Sequence, residues 1–263
     1  MAKLGGSVIT DKNKPFQVRM SVIKRVAKEI AASKLSPLIL VHGGGSFGHP
    51  VAEKYGLAEG FSRKSQLIGF SETREAMMRL NEAMVRALIE ERVLAVSVQP
   101  SAFLRTNDGR MIHPNFTVIE HMLRMGFVPV LHGDAVLDVS RGFSILSGDQ
   151  ITTRVAQHFR ASRIVLATDV DGLFSDDPKR NPNAKLFEKI TISELQDFLS
   201  GMKRTSSSVD VTGAMFGKLV ELIHVAKQSS RTYIVNALKP NRLQRALTGK
   251  TVKGTEISPG SQN

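Results

Sequence analysis

Three glycine-rich stretches hold the side chains best suited to chemistry. Lys3-Leu-Gly-Gly-Ser7 is the first. His42-Gly-Gly-Gly-Ser-Phe-Gly-His49 follows the apolar run Leu38 to Val41, and Asp210-Val-Thr-Gly-Ala-Met-Phe-Gly-Lys218 leads into an amphipathic segment. Glycine lets main-chain amides approach a phosphate closely, and the first amides of a helix are uncompensated donors at the positive end of its dipole. A strand followed by glycines and a helix therefore forms an anion site. Lysines in two of the three stretches add the cations that phosphoryl transfer needs, since that reaction depends on positioning and charge neutralisation more than on a covalent nucleophile.

Other nucleotide signatures fit less well. The Gly-x-x-x-x-Gly-Lys-Ser/Thr phosphate loop does not occur. Gly43, Gly45 and Gly48 satisfy Gly-x-Gly-x-x-Gly, but no acidic residue closes a second strand about 20 residues on, which argues against a nicotinamide cofactor. His42, His113, His121, His132, His158 and His224 lack metal-ligand spacing, so no protein metal site is expected. His113 sits in a turn that could face a substrate.

These residues need a scaffold. Leu38–Val41, Leu94–Val98, Val128–Leu131, Ile164–Ala167 and Thr232–Val235 are uniformly apolar runs, as expected for parallel strands covered on both faces. Between them lie helical stripes: Met20, Ile23, Ala27 and Ile30; then Met77, Leu80, Met84, Ala87 and Leu88; then Met215, Leu219, Leu222, Ile223 and Ala226. The alternation predicts an α/β domain spanning residues 1–263, with a central, mainly parallel sheet and helices on both sides. Asn107-Asp-Gly109 and Asp138 to Gly142 predict hairpin turns. Ser200 to Asp210, rich in serine, predicts a loop. A break near residue 160 could separate two lobes.

Composition narrows the class further. With no cysteine, disulfides and thiolate catalysis are excluded. The formal charge of +12 is dispersed along the chain, and two tyrosines with no tryptophan offer little for base stacking, so an attractive field for anionic substrates is favoured over nucleic-acid binding. No apolar run approaches the ~20 residues that span a bilayer, and no signal-peptide core is present, so no membrane partner and a cytoplasmic location are expected.

Lys3-Leu-Gly-Gly-Ser-Val-Ile-Thr10, His42-Gly-Gly-Gly-Ser-Phe-Gly-His-Pro50, Gln99-Pro-Ser-Ala-Phe103, Ser147-Gly-Asp-Gln150, Thr168-Asp-Val-Asp-Gly172 and Asp210-Val-Thr-Gly213 occur in an order that resembles the isopentenyl phosphate kinases of the amino acid kinase superfamily. The segment Gly249 to Ile257 is similar to that family's closing strand. The resemblance implies a three-layer αβα sandwich, commonly a homodimer. It also implies ATP-dependent conversion of isopentenyl phosphate to isopentenyl diphosphate for isoprenoid synthesis. Residues 1–160 would hold the acceptor and 161–263 the nucleotide.

The resemblance also assigns roles. Lys3, Lys12 and Lys218 would neutralise the transferring phosphoryl group, with Asp149 orienting Lys3 and Lys218. His49 would bind the acceptor phosphate, aided by the amides of Gly44, Gly45 and Gly148. Gly5, Gly6, Ser7, Gly45, Gly213 and Ala214 would contact ATP phosphates, and Thr168, Asp169, Asp171, Gly172, Phe174, Asp177 and Pro178 its adenosine. Mg2+ would arrive through ATP oxygens and water. Ile68, Phe70 and Met77 are candidates to line an apolar acceptor pocket, with Phe70 taken as a substrate contact. Ala214 departs from the family's second glycine, and only Met1 and Ala2 precede Lys3, so a short first strand is expected. A kinase for a fosfomycin-type phosphonate, and a non-catalytic nucleotide sensor, would share much of this pattern.

Overall fold

The computed structural model describes residues 1–176, 178, 181–205, 221, 223 and 231–259. Eight strands form the main sheet: β1 (Ala2–Leu4), β2 (Leu40–His42), β3 (Ala95–Ser97), β6 (Val128–His132), β9 (Arg163–Thr168), β10 (Lys189–Thr191), β11 (Arg231–Asn236) and β12 (Gly254–Ser258). Their spatial order is β10-β12-β11-β9-β1-β2-β6-β3, and every neighbouring pair is parallel except β11 with β12. The short first strand occupies the middle of this sheet, between β9 and β2, so residues before and after position 160 share one continuous sheet.

The apolar strands are buried on both faces, with successive residues entering opposite layers. Leu40, Val130, Val165 and Ala167 pack with α2 (Met20–Ser33), α4 (Ser65–Glu90) and the helix Arg242–Thr248. Their chain neighbours Val41 and Leu131 pack on the other face with α5 (Thr117–Arg124) and α6 (Gly148–His158). On that same face Ile164, Leu166 and Ile234 meet Leu195 and Leu199 of α7 (Ile192–Thr205). The result is the predicted three-layer αβα sandwich.

A second sheet, ordered β5-β4-β7-β8, comprises β4 (Arg105–Asn107), β5 (Arg110–Ile112), β7 (Asp134–Asp138) and β8 (Gly142–Leu146). Both predicted turns close its hairpins. The Asp138 carboxylate accepts amides from Asp108, Gly109, Ser140 and Arg141, tying the two turns together.

Some expectations change. Met20 is exposed at the start of α2, where the apolar stripe begins instead at Ile23 and gains Val26. Residues 200–205, predicted as loop, complete the last turns of α7. Residues 206–210, and the third stripe apart from Ile223, lie outside the described residues.

Candidate active site

The carboxyl ends of β1 and β2 and the start of α6 border a cleft of about 390 Å3 lined by Lys3, Lys12, Gly44, Gly45, His49 and Asp149, among others. Lys3 projects from the central strand and is buried; its Nζ donates to Asp149 Oδ1 at 2.7 Å. Asp149 is held there by the first turn of α6, whose N-cap Ser147 accepts the Gln150 amide. Gln150 in turn accepts from the Met111 amide and donates to the Gly109 carbonyl, bolting the β4–β5 hairpin to this helix.

The two glycine loops interlock through their backbones. A Cβ on Gly6 would lie 2.3 Å from the Gly45 nitrogen, and one on Gly45, at φ +50°, would lie 2.1 Å from Thr10 Oγ1. Thr10 Oγ1 donates to the Gly6 carbonyl and accepts the Ser46 amide, locking the loops together. The Gly5 and Gly43 amides are already engaged by the carbonyls of Ala167 and Leu4, respectively. At the start of α3 (Gly45–Lys54) the Phe47 and Gly48 amides donate to the Gly44 carbonyl, which leaves the amides of Gly44 and Gly45 without a main-chain partner among the described residues. His49 lies four residues after Gly45 on the same helix face, exposed at the cleft wall. One helix thus presents backbone donors and an imidazole to the same space, facing the buried Lys3.

Lys12 belongs to the same lining. Its Nζ stands 3.6 Å from Asp169 Oδ2, while Asp169 Oδ1 accepts from Ser7 Oγ at 2.9 Å. A carboxylate at the end of β9 therefore connects the first glycine loop to an exposed lysine. The lining also holds apolar side chains: Met77 of α4, Ile145 and Leu146 of β8, and Pro50 and Ala52 of α3. Met77 packs tightly on α3, because a Cβ on Gly48 would meet its Sδ at 2.8 Å.

Several predicted contacts sit elsewhere. Phe70 stacks on Phe143 at 5.7 Å, beneath the Arg74 guanidinium, and Ile68 faces solvent; neither lines the cleft. His113 is exposed and also outside the lining. The segment from Thr168 to Pro178 contributes nothing to the cleft lining among the described residues. Thr168 Oγ1 folds that segment through the carbonyls of Val170 and Val235. Asp171 accepts from Arg242 at 2.7 Å and Asn236 at 2.9 Å, and Lys253 stands 3.1 Å away. Burial raises the Asp171 carboxyl, but Asn236, Lys253 and Arg242 outweigh it and hold the group at about 2. Asp171 therefore braces the loop against the helix Arg242–Thr248 and the start of β12. Gly172 packs so closely on Thr255 that a Cβ would come within 2.5 Å of its hydroxyl oxygen. Phe174 forms an isolated bridge to Leu186, and Pro178 is exposed in a turn. Asp177, Gly213, Ala214 and Lys218 lie outside the described residues.

The sequence reading missed Asp134, Thr73 and Ile145. Asp134 borders the cleft and accepts the amides of Ser101 and Ala135. Beneath the floor, the fully buried rings of His42 and His132 stand 5.4 Å apart, and Asn81 donates to His42 Nε2. The in-register pairing of β2 and β6 sets the two histidines side by side. Burial, the neighbouring ring and Lys3 push His42 down to about 3, against the pull of the Gly43 carbonyl. Both rings are neutral, and Lys3 supplies the buried charge at this end of the sheet.

A profile of the amino acid kinase family matches residues 2–236. A curated isopentenyl phosphate kinase from Methanothermobacter thermautotrophicus is 40% identical over 97% of each chain. The chain belongs to the isopentenyl phosphate kinases of the amino acid kinase family. The Arabidopsis thaliana isopentenyl phosphate kinase is 34% identical over 83% of this chain and 69% of its own. Among solved structures, an isopentenyl phosphate kinase superposes with a TM-score of 0.84 at 37% identity over 98% of both chains. An isopentenyl phosphate kinase substrate complex matches at 0.80 and 31%, covering 97% of this chain and 98% of that one.

Proposed function

We propose that the protein transfers the γ-phosphoryl group of ATP to isopentenyl phosphate, forming isopentenyl diphosphate for isoprenoid synthesis. One observation carries this reading: His49, the first turn of α3 and the buried Lys3–Asp149 pair share a cleft that Met77, Ile145 and Leu146 also line. A phosphate ester with a short hydrocarbon tail matches both the polar and the apolar lining of such a cleft. An acceptor phosphate oxygen attacks the γ-phosphorus, forming a new P–O bond. The bond from that phosphorus to the β,γ-bridging oxygen breaks, and ADP leaves. The acceptor is already an anion, so no general base is needed, and the obstacle is repulsion between two polyanions. Lys3 and Lys12 would neutralise it, with Asp149 fixing Lys3 and Asp169 restraining Lys12. Lys218, which lies outside the described residues, would complete the charge array.

His49 would donate to the acceptor phosphate together with the amides of Gly44 and Gly45, a charge-assisted arrangement. Gly148 begins α6 and would add its amide from below. Thr168 to Pro178 would form the adenosine side, with Asp171 acting as the brace of that loop. Mg2+ suits this cleft as a passenger of ATP. Of the carboxylates in the lining, Asp149 is already engaged by Lys3 and Asp134 by the amides of Ser101 and Ala135, so phosphate oxygens and water would complete its shell. Bound there, it would neutralise charge on the nucleotide. No helix among the described residues is long and apolar enough to cross a membrane. A cytoplasmic location and a homodimer are part of the proposal and rest on the resemblance in sequence.

An ADP-release assay across isopentenyl phosphate, longer alkyl phosphates, uridylate, fosfomycin and acetylglutamate tests the assignment. Turnover is expected to be fastest with isopentenyl phosphate. Faster turnover of fosfomycin or uridylate would overturn it.

A further inference from the structure

A second concavity, of about 720 Å3, lies away from the cleft, at the edge of the main sheet where β10, β12 and β11 adjoin the helix Arg242–Thr248 and the turn after it. Its lining carries six cations, Lys189, Arg231, Arg242, Arg245, Lys250 and Lys253. Three carboxylates face them: Glu188 and Glu256 in the lining, and Asp171 behind it. Of the cations, Arg242 pairs with Asp171 at 2.7 Å, and Lys253 shares the same carboxylate at 3.1 Å. Arg231 is only loosely opposed by Glu256, at 4.0 Å, and Lys189, Lys250 and Lys253 are exposed.

The groove is also built. Arg245 Nε donates to the Thr251 carbonyl at 2.6 Å, and Arg163 Nη1 donates to the Leu247 carbonyl at 2.6 Å. Gly249, at φ +74°, lies so close to Arg163 that a Cβ would meet its guanidinium at 2.5 Å. The turn that presents Lys250 and Lys253 is therefore fixed from both sides. A single phosphate would leave part of this charge unmatched, whereas two adjacent phosphoryl groups carry roughly three negative charges at neutral pH.

We propose that this groove binds a small diphosphate-bearing anion, and that occupancy draws Lys253 from Asp171. The first part stands on the groove alone. The second rests on the nucleotide role proposed for the Thr168–Phe174 loop, because Asp171 braces that loop and Lys253 is the exposed partner an incoming anion can recruit.

Calorimetric titration of the full chain with inorganic diphosphate tests the site. In a Lys3→Met background, which removes the buried ammonium of the cleft, diphosphate uptake is expected to persist. Adding Arg231→Gln and Lys250→Gln should weaken it at least tenfold, and Lys250→Arg should restore it. Loss of all uptake with Lys3→Met, equal uptake in the neutralised variant, or equal displacement by sulfate at matched ionic strength would overturn the proposal. An alkyl diphosphate that binds tighter than the inorganic ion identifies an ester as the occupant, and equal binding identifies the free ion; either supports the site. For the coupling, diphosphate should raise the KM for ATP of the wild type and lose part of that effect in Arg231→Gln/Lys250→Gln. An identical rise in both assigns the whole effect to the cleft and refutes the coupling. The titration needs no turnover, so failure of the proposed kinase activity would leave it readable.

Discussion

Lys3 Nζ and Asp149 Oδ1 meet at 2.7 Å although 146 positions separate them in the chain. Lys3 comes from the central strand and Asp149 from the first turn of α6, so the sandwich itself sets their distance. Asp149→Asn keeps the shape but removes the charge that orients the ammonium. We expect kcat to fall by about 100- to 1000-fold, the range seen when one preorganised electrostatic contact is lost. The KM for ATP should change much less. Steady-state kinetics beside a circular dichroism melt separates this outcome from unfolding, and a kcat within threefold of wild type would remove the pair from the mechanism.

His49 shares a helix face with Gly45 but takes no part in the packed core. His49→Ala should therefore leave the fold intact and lower kcat/KM for isopentenyl phosphate by about 100-fold, roughly 2.7 kcal/mol of transition-state stabilisation. The KM for ATP should stay within about twofold. Wild-type acceptor kinetics in this variant would exclude a phosphate contact by the imidazole.

How much of this was legible in the sequence follows from where each signal resides. Uniformly apolar runs marked β2, β6, β9 and β11 because burial on both faces leaves little polar alternation to confuse them, and marked the edge strand β3 although Ser97 there is exposed. The strand β10 was invisible: three residues, Lys189-Ile-Thr191, with one buried side chain, carry no period. Lys3, Asp149 and His49, which line one cleft, were singled out by the glycines that flank them at motif spacing. Asp171 was read as a nucleotide contact from the same kind of motif, yet its partners Arg242 and Lys253 lie over 70 positions away, and no local pattern encodes them. Phe70 misled because an amphipathic stripe gives a helix face but not which neighbour covers it. In α4 that face turns toward Phe143 at Phe70 and toward the cleft one to two turns later, at Thr73 and Met77.

The close fit of Gly48 to Met77 yields a packing test. A Cβ at Gly48 would stand 2.8 Å from Met77 Sδ, so Gly48→Ala overpacks the α3–α4 contact and should cost about 1–3 kcal/mol. Met77 is buried and lines the cleft, so its displacement should also raise the KM for the acceptor. Met77→Ala in the same chain relieves the clash. Urea titrations of both single variants and the double variant should then give a stability loss smaller than the sum of the single losses. Strict additivity would mean the two side chains do not oppose each other.

The buried histidine pair predicts how stability changes with pH. His42 is held at about 3 in the folded chain, chiefly by burial, while an unfolded histidine titrates near 6.5. His132 is lowered in the same direction, again chiefly by burial. Between these values the unfolded chain binds protons that the folded chain excludes, so stability rises with pH. The contribution is complete above about 6.5 and is lost progressively as pH falls toward 3. At pH 5 the loss from His42 amounts to about 2 kcal/mol. Asp138 and Asp171, both held at about 2, begin to lose their contributions only below about pH 4. The Met1 ammonium, which burial lowers to about 6, titrates alike in the wild type and in His42→Gln, so the difference between them over pH 6.5 to 5 reports His42. Urea midpoints should fall across that interval for the wild type and fall less for His42→Gln, which removes one of the two titrating rings. Equal slopes would mean that His42 accepts a proton in the folded state, which the neutral ring paired with Asn81 does not allow.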